Sequence, residues 1–162
     1  MAINRLRVEL GRPGYGRVEL TIDTGQFVLK KRTSSSAGDS IGDLAGALVT
    51  ILKGGSDAVV TWTEQPAEFV FRFRGDEDHV LLNVIRWPDN RRVSGTGQEL
   101  LAIRGARLDI CLPFWRALQR LQTYMPSSEY KSAWGHAFPD QQLAELTALT
   151  QHHKQQVRYR PE

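Results

Sequence analysis

Apolar and polar residues alternate in several stretches of this chain, and a two-residue period marks strands with one buried face. Leu6, Val8 and Leu10 alternate with Arg5, Arg7 and Glu9, and Val18, Leu20 and Ile22 alternate with Arg17, Glu19 and Thr21. Gly11-Arg12-Pro13-Gly14-Tyr15-Gly16 and Asp23-Thr24-Gly25 supply the turns, and a third strand is expected over 26–32. One-sided strands on short turns predict an antiparallel meander. The clearest alternation is Phe69-Val70-Phe71-Arg72-Phe73-Arg74, with Phe on one face and Arg72 and Arg74 on the other. Gly75-Asp76-Glu77-Asp78 then reads as a hairpin turn into a strand over 79–86. Further strands are expected over 58–63 and 98–104, with Pro66 and Pro88 as breakers. Leu108, Ile110 and Leu112 alternate with Arg107, Asp109 and Cys111, and Pro113 follows. That favours a strand over 107–112, then a helix, over one longer helix from Leu108.

Elsewhere the period becomes helical. Ile41, Leu44, Ala45, Leu48, Val49 and Leu52 form one apolar stripe, predicting an amphipathic helix over 41–53. Ser40 is the expected N-cap with Asp43 in capping-box position, and Gly54-Gly55 closes the helix. Gly42 and Gly46 are read as permitting close packing against a sheet. Phe114, Trp115, Leu118, Leu121 and Met125 line a second helix. Tyr130, Trp134 and Phe138 recur every four residues as an aromatic ridge capping the core. Pro139 opens a last helix with Leu143, Leu146 and Leu149 inward, and His152-His153-Lys154 begins a basic, fraying tail ending near Arg160. The fold expected is α+β. An antiparallel meander of six to eight strands carries a central helix and two to three C-terminal helices on one face, in a single domain over 1–162.

Composition narrows the function. The 162 residues are 41% hydrophobic and 24% charged, ordinary for a globular chain with a real core. The longest apolar run, 44–52, is about half of what a membrane span needs, and the N-terminus shows no secretory apolar segment. Cys111 is the only cysteine, so no intramolecular disulfide forms, and a cytoplasmic address is expected. The net charge of +3 hides a basic start and an acidic middle: residues 34–98 carry six basic and nine acidic side chains.

No spacing carries catalytic or metal chemistry. Gly75-Asp76-Glu77-Asp78-His79 lacks a calcium loop's spacing, and His152 and His153 face different sides of a helix. Gly95-Thr96-Gly97 has neither the Lys-Ser/Thr of a phosphate loop nor a third glycine, and Cys111, among apolar neighbours, reads as an inert thiol. Glu64 and Glu68 flank Pro66 in a turn, which gives paired carboxylates no cleft. The expectation is a non-enzymatic chain with no metal or cofactor. It is read as a small binding protein, most concretely an immunity or antitoxin-type inhibitor of one specific partner protein such as a toxin domain. Trp62, Asp76, Glu77, Asp78, Trp87 and Asp89 are the expected contact residues, the tryptophans as anchors and the acids for steering. The alternative is a nucleic-acid-associated protein using Arg72, Arg74, Arg86, Arg91, Arg92 and the basic tail. No membrane association is expected.

Overall fold

The computed structural model describes residues 6–158. Seven antiparallel strands lie in sequence order in one sheet: β1 (Arg7–Leu10), β2 (Arg17–Asp23), β3 (Val28–Ser34), β4 (Asp57–Thr63), β5 (Glu68–Asp76), β6 (His79–Trp87) and β7 (Gln98–Ala106). Helix α1 (Ser40–Leu52) intervenes between β3 and β4, and α2 (Arg107–Tyr124), α3 (Ser127–Trp134) and α4 (Asp140–Arg158) follow the sheet. The expected α+β meander is the fold observed. Its continuity is uneven, because β3 and β4 share only the pair Ser34↔Thr63. Helix α1 packs along β4, and Ser40 Oγ donates to the Thr61 carbonyl at 2.7 Å.

The inner face of the sheet carries the core. Phe69, Phe71 and Phe73 alternate inward as their spacing predicts, beside Val60 and Trp62 of β4 and Val80, Leu82 and Val84 of β6. Phe114 of α2 meets Phe73 and Phe71 edge-on, with ring centroids at 5.7 and 6.4 Å. Ile41, Leu44, Leu48 and Leu52 of α1 add the apolar stripe read from the sequence, and Ile51 is buried beside them. Each fully buried side chain of this kind stabilises by about 1.5–3 kcal/mol. The aromatic ridge also caps the core: Tyr130 and Trp134 are fully buried, and Tyr130 packs edge-on against Phe138 at 5.0 Å.

Four local readings need correction. The segment 107–112 is helical, the first part of α2. Ile110, Cys111, Phe114, Ala117, Leu118 and Leu121 form one buried helical stripe, which a strand followed by a helix would interrupt. Pro113 inside the helix has no N–H for the Asp109 carbonyl and costs about 3 kcal/mol. Burying Ile110 and Phe114 together outweighs that cost. At α1 the N-cap is Asp39, whose Oδ1 accepts from the Gly42 N–H at 3.0 Å, and Ser40 is the first helical residue. Neither Gly42 nor Gly46 faces the sheet: a side chain at Gly42 would strike the Asp39 carboxylate, and Gly46 looks toward Gln142 of α4. Finally, the C-terminal helix is docked as far as His153 and Lys154. His153 Nε2 lies 2.7 Å from the Leu52 carbonyl, and Lys154 Nζ sits 5.1 Å from the Trp115 ring. The end of the expected tail, at Arg160, lies outside the described residues.

The other end of α1 closes as read. Gly54 takes φ +97°, and the Gly54 and Gly55 N–H groups return to the Ile51 and Thr50 carbonyls at 3.1 and 2.9 Å. Cys111 is fully buried, and burial pushes its thiol up to about 12, so it stays protonated.

Candidate functional site

The helices pack on the inner face, which leaves the outer face of β4–β7 as a broad surface without a helical layer. Strand register arranges its side chains in rows. Asp57, Arg74, Leu81 and Arg104 cross the sheet in one row, and Val59, Arg72, Asn83 and Ala102 in the next. Val59 is 47% exposed although apolar, and Arg74 and Arg104 are exposed. Arg72 Nε and Nη2 donate to the two Asp57 carboxylate oxygens, both at 3.3 Å, and Asn83 Nδ2 donates to Glu99 at 2.8 Å.

Two structures bound this face. At one end is the β5–β6 turn, where Asp76, Glu77 and Asp78 are all exposed. Its backbone is held by α2: Arg107 Nε donates to the Glu77 carbonyl at 2.6 Å, and the Arg107 N–H to the Asp78 carbonyl at 3.1 Å. Arg107 is itself buried, and its Nη1 donates to the Ile51 and Gly55 carbonyls at 2.9 and 2.8 Å. A cation satisfied by carbonyls at a helix C-terminus is well placed in the dipole field. The acidic tip is thus pinned to the ends of two helices.

At the other end, the 88–97 loop folds back over the sheet. Arg92 Nε and Nη2 both reach Glu68 Oε2, at 3.0 and 2.9 Å, and Nη2 also donates to Thr61 Oγ1 at 3.2 Å. Glu68 is only 8% exposed. Gly97 lies flat on the Trp87 ring, where an added Cβ would come within 2.8 Å. Asp89 accepts from the Arg91 N–H at 3.0 Å and from its Nη2 at 2.8 Å, which holds the carboxyl below the usual carboxylate range.

The residues singled out in the sequence are therefore not gathered in one place. Trp62 is fully buried with its ring 5.7 Å from Phe71, so it is a core residue and not a surface anchor. Its strand position pairs with Phe69, on the inward-facing parity. Trp87 and Asp89 lie at the far end of β6 from Asp76, Glu77 and Asp78, about 27 Å away for a strand of that length. The arginine set is divided as well. Arg72 and Arg74 face outward, but Arg86 pairs with Phe69 and shares the inner-face parity. Arg72, Arg91 and Arg92 are each matched by a carboxylate. Sequence reasoning missed Asp57, Leu81, Arg104 and Arg107, whose roles depend on cross-strand register and on where α2 begins.

Among the described residues no three His, Cys, Asp or Glu side chains gather as a metal site, and no helix is long and apolar enough to cross a membrane. No family model, curated protein or solved structure matches this chain.

Proposed function

We propose that this chain is a non-catalytic binding protein that docks a folded partner protein on the outer face of β4–β7. The observation that carries the reading is the mixed row Asp57–Arg74–Leu81–Arg104, its charged members exposed and Leu81 half-buried, on a helix-free sheet face whose two ends are pinned. Arginine beside apolar side chains is the composition that anchors protein interfaces. Four strands of this length project roughly 15 by 30 Å. That is a little over half of the ~800 Å² per partner of a standard interface, and the acidic tip and the folded loop at its ends extend it. Pinning by Arg107 and Arg92 also lowers the ordering cost of binding. The concrete form we favour is an inhibitor of a toxin domain, in which Asp76, Glu77 and Asp78 steer a basic rim of the partner toward the face. Pairing of Arg72, Arg91 and Arg92 with carboxylates makes nucleic acid the weaker reading.

The test is a pull-down followed by a titration of the captured partner. Arg74→Glu with Arg104→Glu should weaken binding at least about tenfold while the fold is kept. Reversal of Asp76, Glu77 and Asp78 to Lys should slow association and flatten its salt dependence. A partner bound equally by both variants would place the interface elsewhere. Salt-sensitive capture of nucleic acid alone, lost in Arg74→Glu with Arg104→Glu, would replace this reading.

A further inference from the structure

A second charged surface lies on the opposite margin of the sheet, where α2 covers the free edge of β1. Arg120 Nη2 donates to the Val8 carbonyl at 2.8 Å, which fixes the helix against the strand. Between them is a cavity of about 240 Å³ lined by Arg7, Arg116 and Arg120, with Glu9 as its one carboxylate. Neither the Arg7 nor the Arg116 side chain has an ion-pair partner among the described residues. Along α2, Arg116 and Arg120 run into an adjoining open depression of about 350 Å³, formed by that helix alone, that includes Gln119, Gln122 and Tyr124. Tyr124 is 58% exposed, unusual for a large aromatic side chain on a helix otherwise folded against the core.

We propose that this groove binds a nucleotide, with its phosphate on Arg7, Arg116 and Arg120 and its base against Tyr124. Three guanidinium groups and one carboxylate leave a balance of two positive charges, which matches a phosphate monoester at neutral pH. Guanidinium forks suit the several oxygens of phosphate. The first cavity is smaller than the ~300–1,000 Å³ of a whole small-molecule site, so it fits a head group and leaves the rest of the ligand to the second. Arg116, Arg120 and Tyr124 stand at successive four-residue steps on one face of α2, about 6 Å apart along the axis. Base and phosphate of one nucleotide can therefore be held at once. Gln119 adds a side-chain amide able to pair with a base edge, whereas Gln122 Nε2 already donates to Asp140 Oδ1 at 2.9 Å.

The experiment titrates the full chain with AMP, GMP, CMP and UMP, inorganic phosphate and unphosphorylated adenosine, by calorimetry and by backbone amide shifts. At least one nucleotide should bind saturably, more tightly than inorganic phosphate, with shifts centred on Arg116, Arg120 and Tyr124. Arg116→Glu, an exposed position, should weaken nucleotide binding roughly tenfold or more at unchanged circular dichroism. Tyr124→Ala should weaken nucleotide roughly tenfold and leave phosphate binding unchanged. An oligonucleotide with a 5′-phosphate tests a chain end as the source; binding it as tightly without that phosphate would overturn the phosphate assignment. No saturable binding by any nucleotide or by phosphate would overturn the proposal, as would wild-type affinity in folded Arg116→Glu. Partner capture on β4–β7 is read out independently, so either proposal can fail without the other.

Discussion

The two faces of β5 differ in what holds them although they share one strand. Its inward side presents Phe69, Phe71 and Phe73 to other apolar groups, whereas its outward side presents Glu68, Arg72 and Arg74 to charges and solvent. The inner side is stabilised by area removed from water and by close packing, which tolerate no loss of volume. The outer side is organised by pairs whose worth depends on how dry they are. The lesson is that the inner face decides whether the chain folds, and the outer face decides which groups remain available to a partner.

The largest effect should come from Phe71. Phe71→Ala opens a cavity against Trp62 and Phe114 and should cost about 3–5 kcal/mol in denaturant unfolding. A loss below about 1 kcal/mol would mean the inner face is not packed as described. Next is the driest pair on the outer face. Arg92→Ala strands the Glu68 carboxylate, which is nearly buried, and should cost about 1–3 kcal/mol. Adding Glu68→Gln should recover part of that loss, and a double-mutant cycle measures the coupling. The smallest effect belongs to Arg72→Ala, under about 0.5 kcal/mol, because its pair with Asp57 is solvated. An Arg72 effect matching that of Arg92 would erase the distinction between dry and wet pairs.

Much of this contrast was legible in the sequence. Strict alternation assigned the faces of β2 and β5, and the turn at Glu77-Asp78 is short enough to carry the parity of β5 into β6, where Leu81 and Ile85 blur the alternation. The same parity puts Arg86 opposite Phe69, on the face away from Arg72. The start of α2 was harder, because Leu108, Ile110 and Leu112 satisfy a strand period while Ile110, Cys111 and Phe114 satisfy a helical one. Only the tertiary burial of Cys111 decides between them. Arg107 looked like one more exposed arginine, since nothing local reveals that three carbonyls from distant segments converge on it. The pairing of Arg92 with Glu68 and the groove under Arg116 are likewise products of folding, joining residues far apart in the chain.

The single Ser34↔Thr63 pair between β3 and β4 bears on how the chain finds its fold. Every other strand pair joins neighbours in sequence, so each closes a short loop at small entropic cost and can zip from its turn. The 7–34 and 57–106 segments can thus assemble as separate hairpin stacks before they meet. Their union awaits α2, which packs on β1 of the first stack and on β6 and β7 of the second. The rate-limiting event should therefore be docking of α2 rather than strand pairing, with that helix acting as the clasp between two locally formed halves.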